Sequence, residues 1–159
     1  MIFLQCSYNN SNEYDSSLSN NEILTVFQAI DEIKKSFFGE EEDINYYSYL
    51  LSLAPNDRDK RIINSILEDE VRHDKILKRI YYDFTNQILP SNQYNKMNYQ
   101  NRNYKFNLEN ALIGETNAVK KYRKILGAMP SGGIYTLVMS IMTDELIHAD
   151  KLNLLISTN

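Results

Sequence analysis

The sequence predicts an all-α fold, an antiparallel four-helix bundle in which a long crossover joins two helical hairpins. Three observations lead to this prediction. Apolar residues recur at helical intervals in four separate segments, and no segment shows the alternation of a strand. Pro55 and Pro130 each separate two neighbouring segments by a short turn, as in a helical hairpin. Many residues of the first half recur 75 positions later, which indicates two versions of one hairpin.

Local signals place the boundaries of these elements. Residues 1–20 are rich in Ser and Asn and show no period, so a loose arm is expected before a bundle of residues 21–159. The first helix is expected to pass through Gly39, and Asp57 is the expected N-cap of the second. The polar stretch 87–104 is the predicted crossover, and its tyrosines are expected to cover the side of the bundle. The four helices are expected over about 21–54, 57–86, 105–128 and 134–157.

The repeat contains both histidines of the chain, each three residues after a glutamate in an Asp-Glu-x-x-His string. Each of its four glutamates lies 15 residues from the proline of its own hairpin. At a rise of about 1.5 Å per residue, the members of each pair reach the same height, about 22 Å from the turn. All four glutamates are therefore expected in one layer, on the buried faces of their helices. The candidate metal ligands are Glu40, Glu70, His73, Glu115, Glu145 and His148.

Four carboxylates buried together repel one another and resist desolvation unless positive charge compensates them. Two divalent cations balance four carboxylates. Oxygen and imidazole nitrogen donors suit iron or manganese, with zinc as an alternative, whereas the histidines disfavour a calcium or magnesium site. Within the acidic run Glu40-Glu41-Glu42, only Glu40 is in phase with the apolar stripe, and the other two are expected to point aside and away.

Four further residues are candidates to support these ligands. Asp69 and Asp144 precede the ligand glutamates, and each is expected to accept the distal imidazole N–H of a histidine on the partner helix. The alternative is that they are surface carboxylates. Tyr47 and Tyr122 lie two turns beyond the first glutamate of each repeat, where their hydroxyls can bind ligand carboxylates or supply a proton. The alternative for the tyrosines is packing alone.

The doubled pattern Glu-x6-Tyr, with Asp-Glu-x-x-His thirty residues after the glutamate, resembles the ferritin-like di-iron carboxylate proteins, nearest to the rubrerythrin-like branch. The resemblance covers about residues 30–157. It implies a ferritin-like bundle with Ala118 in place of the extra glutamate of the rubrerythrin third helix, and with no rubredoxin-type four-cysteine module. It also implies terminal, bridging and imidazole ligands in three pairs, respectively Glu40 with Glu115, Glu70 with Glu145, and His73 with His148.

This resemblance and the ligand set imply a cofactor of two iron ions, or of manganese, in an oxidoreductase that reduces peroxide or dioxygen with an unknown electron donor. Two alternatives stay open. One is an iron-binding protein that oxidises Fe²⁺ for storage. The other is a non-enzymatic metal-binding bundle, for instance a coat or scaffold component. A homo-oligomer is expected, with a dimer favoured.

Composition limits the other classes of partner. The net charge of −4 over 159 residues shows no basic patch for nucleic acid. No apolar run approaches the roughly 20 residues of a membrane-spanning helix, so no membrane partner is expected. The single cysteine, Cys6, excludes an internal disulfide and a four-cysteine iron site within this chain. The N-terminus lacks the pattern of a secretory signal, and a reducing cytoplasm is the expected location.

Overall fold

The computed structural model describes residues 24–90 and 103–159, and all regular structure in these ranges is α-helical. The prediction of an all-α chain with four helices is therefore confirmed for the described part. None of the four helices there has the length of apolar sequence that crossing a membrane needs. The helices are α1 (Val26–Leu53), α2 (Asp57–Thr85), α3 (Tyr104–Ala128) and α4 (Gly133–Thr158).

The first helix begins later than the expected start near residue 21. Thr25 is extended and caps α1: its hydroxyl accepts the N–H of Gln28, and the side-chain oxygen of Gln28 accepts the N–H of Thr25 at 2.8 Å. These two hydrogen bonds satisfy backbone N–H groups that would otherwise lack an acceptor at the start of the helix. From Val26 the helix then runs through Gly39 without a break. The predicted arm, residues 1–20, lies outside the described residues.

The N-cap of α2 is Asn56, so the prediction of Asp57 was wrong by one residue. The side-chain oxygen of Asn56 accepts the N–H of Asp59 at 2.9 Å, and Asp57 is the first helical residue. A cap needs an extended backbone with its side chain folded back on the third residue, and Asn56 has that geometry. At the other end, Asn86 has a φ of 54° and closes the helix one residue before its expected end.

The second hairpin starts and turns close to the expected positions. Helix α3 begins at Tyr104, one residue before its expected start and at the last residue of the predicted crossover. Gly132 has a φ of +125°, a conformation that side chains with a Cβ rarely adopt, and the turn delivers the chain into α4 at Gly133. The predicted crossover residues 91–102 lie outside the described part of the chain.

Each helix packs mainly on its hairpin partner, and the hairpins meet through α1 against α3 and α2 against α4. Contacts between Tyr47 and Glu115, and between Tyr122 and Glu40, show that α1 and α3 run antiparallel. The Tyr104 hydroxyl donates to Asp59 at 3.2 Å, so α3 begins beside the start of α2. The end of α2 and the start of α3 therefore lie at opposite ends of the bundle, which is what a crossover between hairpins requires.

The apolar core is divided into two clusters along the bundle. One includes Phe37 and Leu77 and lies towards the beginning of α1. The other includes Leu50 and Ile66 and lies towards the end of α1. The layer of glutamates and histidines separates them. The glutamates and histidines of this layer therefore lie at mid-length, with a packed apolar core on either side.

Candidate metal centre

The six candidate ligands meet in one layer at the middle of the bundle, each supplied by the inward face of its helix. All six side chains are buried, with an exposed fraction of at most 6%. Helix α1 supplies one glutamate and α3 another, while α2 and α4 each supply a glutamate and a histidine one turn apart. They are Glu40, Glu70, His73, Glu115, Glu145 and His148.

Within this layer the side chains form two overlapping groups of four. The first contains Glu40, His73, Glu70 and Glu145, and the second contains Glu115, His148, Glu70 and Glu145. In each group, one potential ligand atom of every residue lies within 4.8 Å of those of the others. The glutamates of α2 and α4 belong to both groups, whereas the other four residues belong to one group each. These buried groups are able to hold a metal ion.

Both imidazoles turn the same nitrogen towards the carboxylates. His73 Nδ1 lies 3.3 Å from an oxygen of Glu70 and 3.3 Å from an oxygen of Glu145. His148 Nδ1 lies 3.0 Å from Glu70 and 3.5 Å from Glu115. The two rings are separated by 5.7 Å between centroids. Each Nδ1 is thus the atom that can join the carboxylates around a cation.

The other nitrogen of each imidazole faces an aspartate of the opposite hairpin. His73 Nε2 lies 3.2 Å from Asp144, and His148 Nε2 lies 3.2 Å from Asp69. A carboxylate at this distance favours the tautomer with its proton on Nε2, and the lone pair on Nδ1 is then available to a metal. The structure thus brings both aspartates to the histidines across the hairpin interface.

Arg72 is a supporting residue that the sequence analysis missed. Its guanidinium lies 2.6 Å from Asp69 and 2.9 Å from Asp144, so one cation links the two aspartates. The repeat gives no signal for it, because Ile147 occupies the corresponding position in α4. The signal that does exist is local: Arg72 follows Asp69 by three residues and therefore shares its helix face.

The two tyrosines hold the glutamates of α1 and α3 from across the hairpin interface. The Tyr47 hydroxyl donates to a carboxylate oxygen of Glu115, and the Tyr122 hydroxyl donates to one of Glu40. Burial, followed by the charge of the bound glutamate, raises the pKa of each tyrosine well above its ordinary value. Both hydroxyls therefore keep their protons and act as donors at neutral pH.

Protons occupy the layer when no cation compensates its charge. Burial, with a contribution from Glu145, raises the pKa of Glu115 to about 9. Burial alone would lower the pKa of His148, but its contacts with Glu115 and Glu145 outweigh burial and raise that pKa to about 12. Burial would raise the pKa of Glu145, but its contacts, first with Glu115 and then with His148, lower it. The layer therefore holds protons that a metal would displace.

Several polar atoms in the layer lack the hydrogen bonds that burial normally demands. Within the described ranges, no hydrogen-bond partner is found for one oxygen each of Glu40, Glu70 and Glu145, or for His148 Nδ1. The approach of His148 Nδ1 to Glu70 is short but lacks hydrogen-bond angles. Buried polar groups almost always have a hydrogen-bond partner. Each of these four atoms has a lone pair that a metal ion could bind instead.

The acidic run of α1 contributes one residue to the two groups. Glu40 belongs to the first group, and Glu42 is exposed, as the stripe predicted. Glu41 belongs to neither group but is only 3% exposed, which the apolar stripe did not predict. One helical step of 100° moves a side chain from the centre of the bundle towards its flank, and there it can still be covered.

A cavity of about 720 Å³ between α1 and α3 leads to the layer. The carboxylates that line its inner end are Glu40, Glu115 and Glu145. On the α2–α4 side, the imidazoles are backed by the aspartates and by Arg72. The cavity therefore gives small molecules a route to the candidate metal ligands from one side of the bundle.

Comparison with protein-family models, curated proteins and solved structures gave no significant match. The site offers buried carboxylates and imidazoles in two overlapping groups, supporting carboxylates and hydroxyls behind them, and an open route for a small molecule.

Proposed function

We propose that this chain is a ferritin-like dinuclear metal carboxylate protein that reduces peroxide or dioxygen at two iron or manganese ions. The observation that carries the proposal is the sharing of Glu70 and Glu145 by both groups of potential ligands. A carboxylate has two oxygens, so a shared glutamate suits a position between two cations. Each cation would then take one imidazole and one terminal glutamate of its own.

The composition of the ligand set supports redox metals. Three carboxylates and one imidazole per group are donors typical of iron and manganese sites, and zinc is a possible substitute. Two divalent cations also balance the four carboxylates that burial would otherwise penalise. Two bound ions that each change valence by one supply the two electrons that peroxide needs for reduction to water.

The residues of the chain hold the ligands and direct the oxidant. Tyr47 and Tyr122 orient the terminal glutamates through their hydroxyl protons. Asp69 and Asp144 hold the imidazoles with Nδ1 facing inwards. The cavity between α1 and α3 admits the oxidant on the side where the terminal glutamates lie. Preorganised ligands of this kind need little rearrangement during turnover.

Metal analysis with a matched pair of variants tests the ligand set. Metal-free protein is loaded anaerobically with Fe²⁺ or Mn²⁺, desalted and analysed for metal. We expect two ions per wild-type chain and a large loss in Glu70→Ala, because this glutamate belongs to both groups. Glu68→Ala changes an exposed glutamate on the same helix and should retain both ions. Unchanged metal content in Glu70→Ala would show that the ligand set is wrong.

Peroxide consumption tests the chemistry separately. The loaded protein is mixed with hydrogen peroxide, and the metal oxidation state is followed optically. We expect one peroxide to oxidise both ions of a chain and a reductant to restore them. Metal that binds but never reacts would rule out the oxidoreductase and leave a structural site. A large multi-subunit particle that accumulates iron would instead support storage.

A further inference from the structure

The cavity beside the metal ligands is much larger than the proposed oxidant requires. Its volume is about 720 Å³, whereas a water-sized molecule occupies roughly 30 Å³. Pockets that bind organic molecules typically enclose about 300–1,000 Å³. The side chains of α1 and α3 therefore leave room for an organic ligand next to the terminal glutamates Glu40 and Glu115.

Residues related by the 75-residue repeat differ in the lining of this cavity, whereas they are identical among the proposed metal ligands. Asp43 on α1 corresponds to Ala118 on α3, and Tyr46 on α1 corresponds to Lys121 on α3, and all four line the cavity. The α1 wall is thus acidic where the α3 wall is apolar, and aromatic where the α3 wall is cationic. A symmetric site with asymmetric walls can hold a ligand that has two different ends in one orientation.

The two charged side chains in the walls are available to a ligand. In the described ranges, neither the carboxylate of Asp43 nor the ammonium of Lys121 lies within ion-pair distance of an opposite charge. Burial raises the pKa of Asp43 to about 7, although the nearby charge of Lys121 lowers it, so Asp43 is largely ionised only above neutral pH. The Lys121 ammonium lies 4.7 Å from the centroid of the Tyr122 ring, and no hydrogen-bond acceptor for it is found among the described residues. Asn110 and Asn117 add amide donors and acceptors to the same cavity.

We propose that this cavity binds a small zwitterionic organic molecule of the free amino-acid type, with its ammonium group at Asp43 and its carboxylate at Lys121. The rings of Tyr46 and Phe106 belong to the lining of the same cavity. The proposal rests on the proposed function only for the ligand's role, since it names the class of molecule that lies beside the centre. Binding itself requires the side chains that line the cavity but no turnover at the centre.

The opposite charges favour a zwitterion over an ion of one sign. A simple carboxylate would pair with Lys121 but would meet the carboxylate of Asp43 and the glutamates at the inner end. A simple amine would pair with Asp43 but would meet the Lys121 ammonium. Like charges repel, so the attraction that a singly charged ligand gains at one wall is offset by repulsion at the other wall.

Calorimetric titration with matched ligands tests the preference. The probe is L-phenylalanine, with 3-phenylpropionate lacking the ammonium group and 2-phenylethylamine lacking the carboxylate. The protein is loaded with Zn²⁺, which cannot change valence, and metal-free protein is titrated in parallel. We expect L-phenylalanine to bind at least about tenfold more tightly than either analogue. This readout needs no turnover, so a failure of binding is distinguishable from a failure of the redox function.

Two variants with matched controls assign the charges. Asp43→Asn should weaken L-phenylalanine binding at least about tenfold and remove its advantage over 3-phenylpropionate. Lys121→Met should remove the advantage over 2-phenylethylamine. Glu42→Gln and Lys120→Met change exposed charges next to these positions, and both should bind as the wild type does. Equal affinity for all three ligands would overturn the proposal, as would the absence of binding by L-phenylalanine, L-leucine and glycine at about 10 mM.

Discussion

At the scale of single residues, each imidazole of the site is held from two sides. Nδ1 of His73 faces the glutamates, and Nε2 faces Asp144 at 3.2 Å. The aspartate stabilises the proton on Nε2 and increases the electron density that Nδ1 can offer to a cation. The same arrangement recurs at His148 with Asp69. The repeat therefore contains both the histidines and the aspartates that hold them.

We expect Asp144→Asn to lower metal affinity about 10- to 100-fold, because a neutral amide still accepts the imidazole proton but removes the charge behind it. Competition with a chelator of known affinity measures the change. Asp150→Asn neutralises an exposed aspartate on the same helix and serves as the control. Equal affinities in the two variants would show that Asp144 does not support the ligand.

The residues that could be predicted are those that the repeat contains. The glutamates, histidines, aspartates and tyrosines recur at one offset, so the sequence alone grouped them before any contact was known. Arg72, Asp43 and Lys121 have no like residue at that offset, so the repeat does not predict them. The one local signal is that Arg72 follows Asp69 by three residues. The places of all three depend on which helix faces lie opposite one another, which is a property of the packed bundle.

At the scale of elements, the two hairpins were predictable because each is a long periodic pair around a proline. The exact ends were less so. The sequence predicts Asp57 as the cap of α2, but Asn56 and Asp57 are both residue types that favour caps. The backbone conformation determines which of the two is the cap: Asn56 is extended, and its side-chain oxygen accepts the N–H of Asp59. Composition alone does not contain that information.

We expect Asn56→Ala to lower the free energy of unfolding by about 1 kcal/mol, because the first turn of α2 loses its cap. Asp57→Ala should cost less, about 0.3–1 kcal/mol, since Asp57 does not cap the helix and contributes its charge at the positive end of the helix dipole. Urea denaturation of both variants and the wild type measures the difference. A larger loss in Asp57→Ala than in Asn56→Ala would contradict the observed cap.

At the scale of the whole molecule, the two apolar clusters stabilise the bundle on either side of the buried layer of carboxylates. Without cations, desolvation and repulsion of these carboxylates oppose folding, and bound protons reduce their charge. The pKa of Glu115 is raised to about 9 from a reference value of 4.5, and that of His148 to about 12 from 6.5. The folded metal-free chain thus binds more protons than the unfolded chain across the neutral range.

The sign of the pH dependence follows from these raised values. Stability from a raised pKa is complete below the unfolded value and is lost as pH rises towards the folded value. For Glu115 that loss begins above 4.5, and for His148 above 6.5. The lowered pKa of Glu145 acts in the opposite direction, but its contribution is lost only as pH falls below 4.5. Metal-free protein should therefore lose stability as pH rises from neutral.

Metal ions compete with the same protons, so their binding strengthens with pH and stabilises the folded state more. We expect chelation to lower the melting temperature, and the gap between loaded and metal-free protein to widen from about pH 6 to about pH 8. Scanning calorimetry of both forms across this range measures it. In Glu70→Ala the gap should be small at every pH, whereas the exposed control Glu68→Ala should behave as wild type. A ligand that binds only the folded state must raise the melting temperature. Equal melting temperatures of metal-free and loaded protein at each pH would therefore mean that cations do not compensate the buried carboxylates.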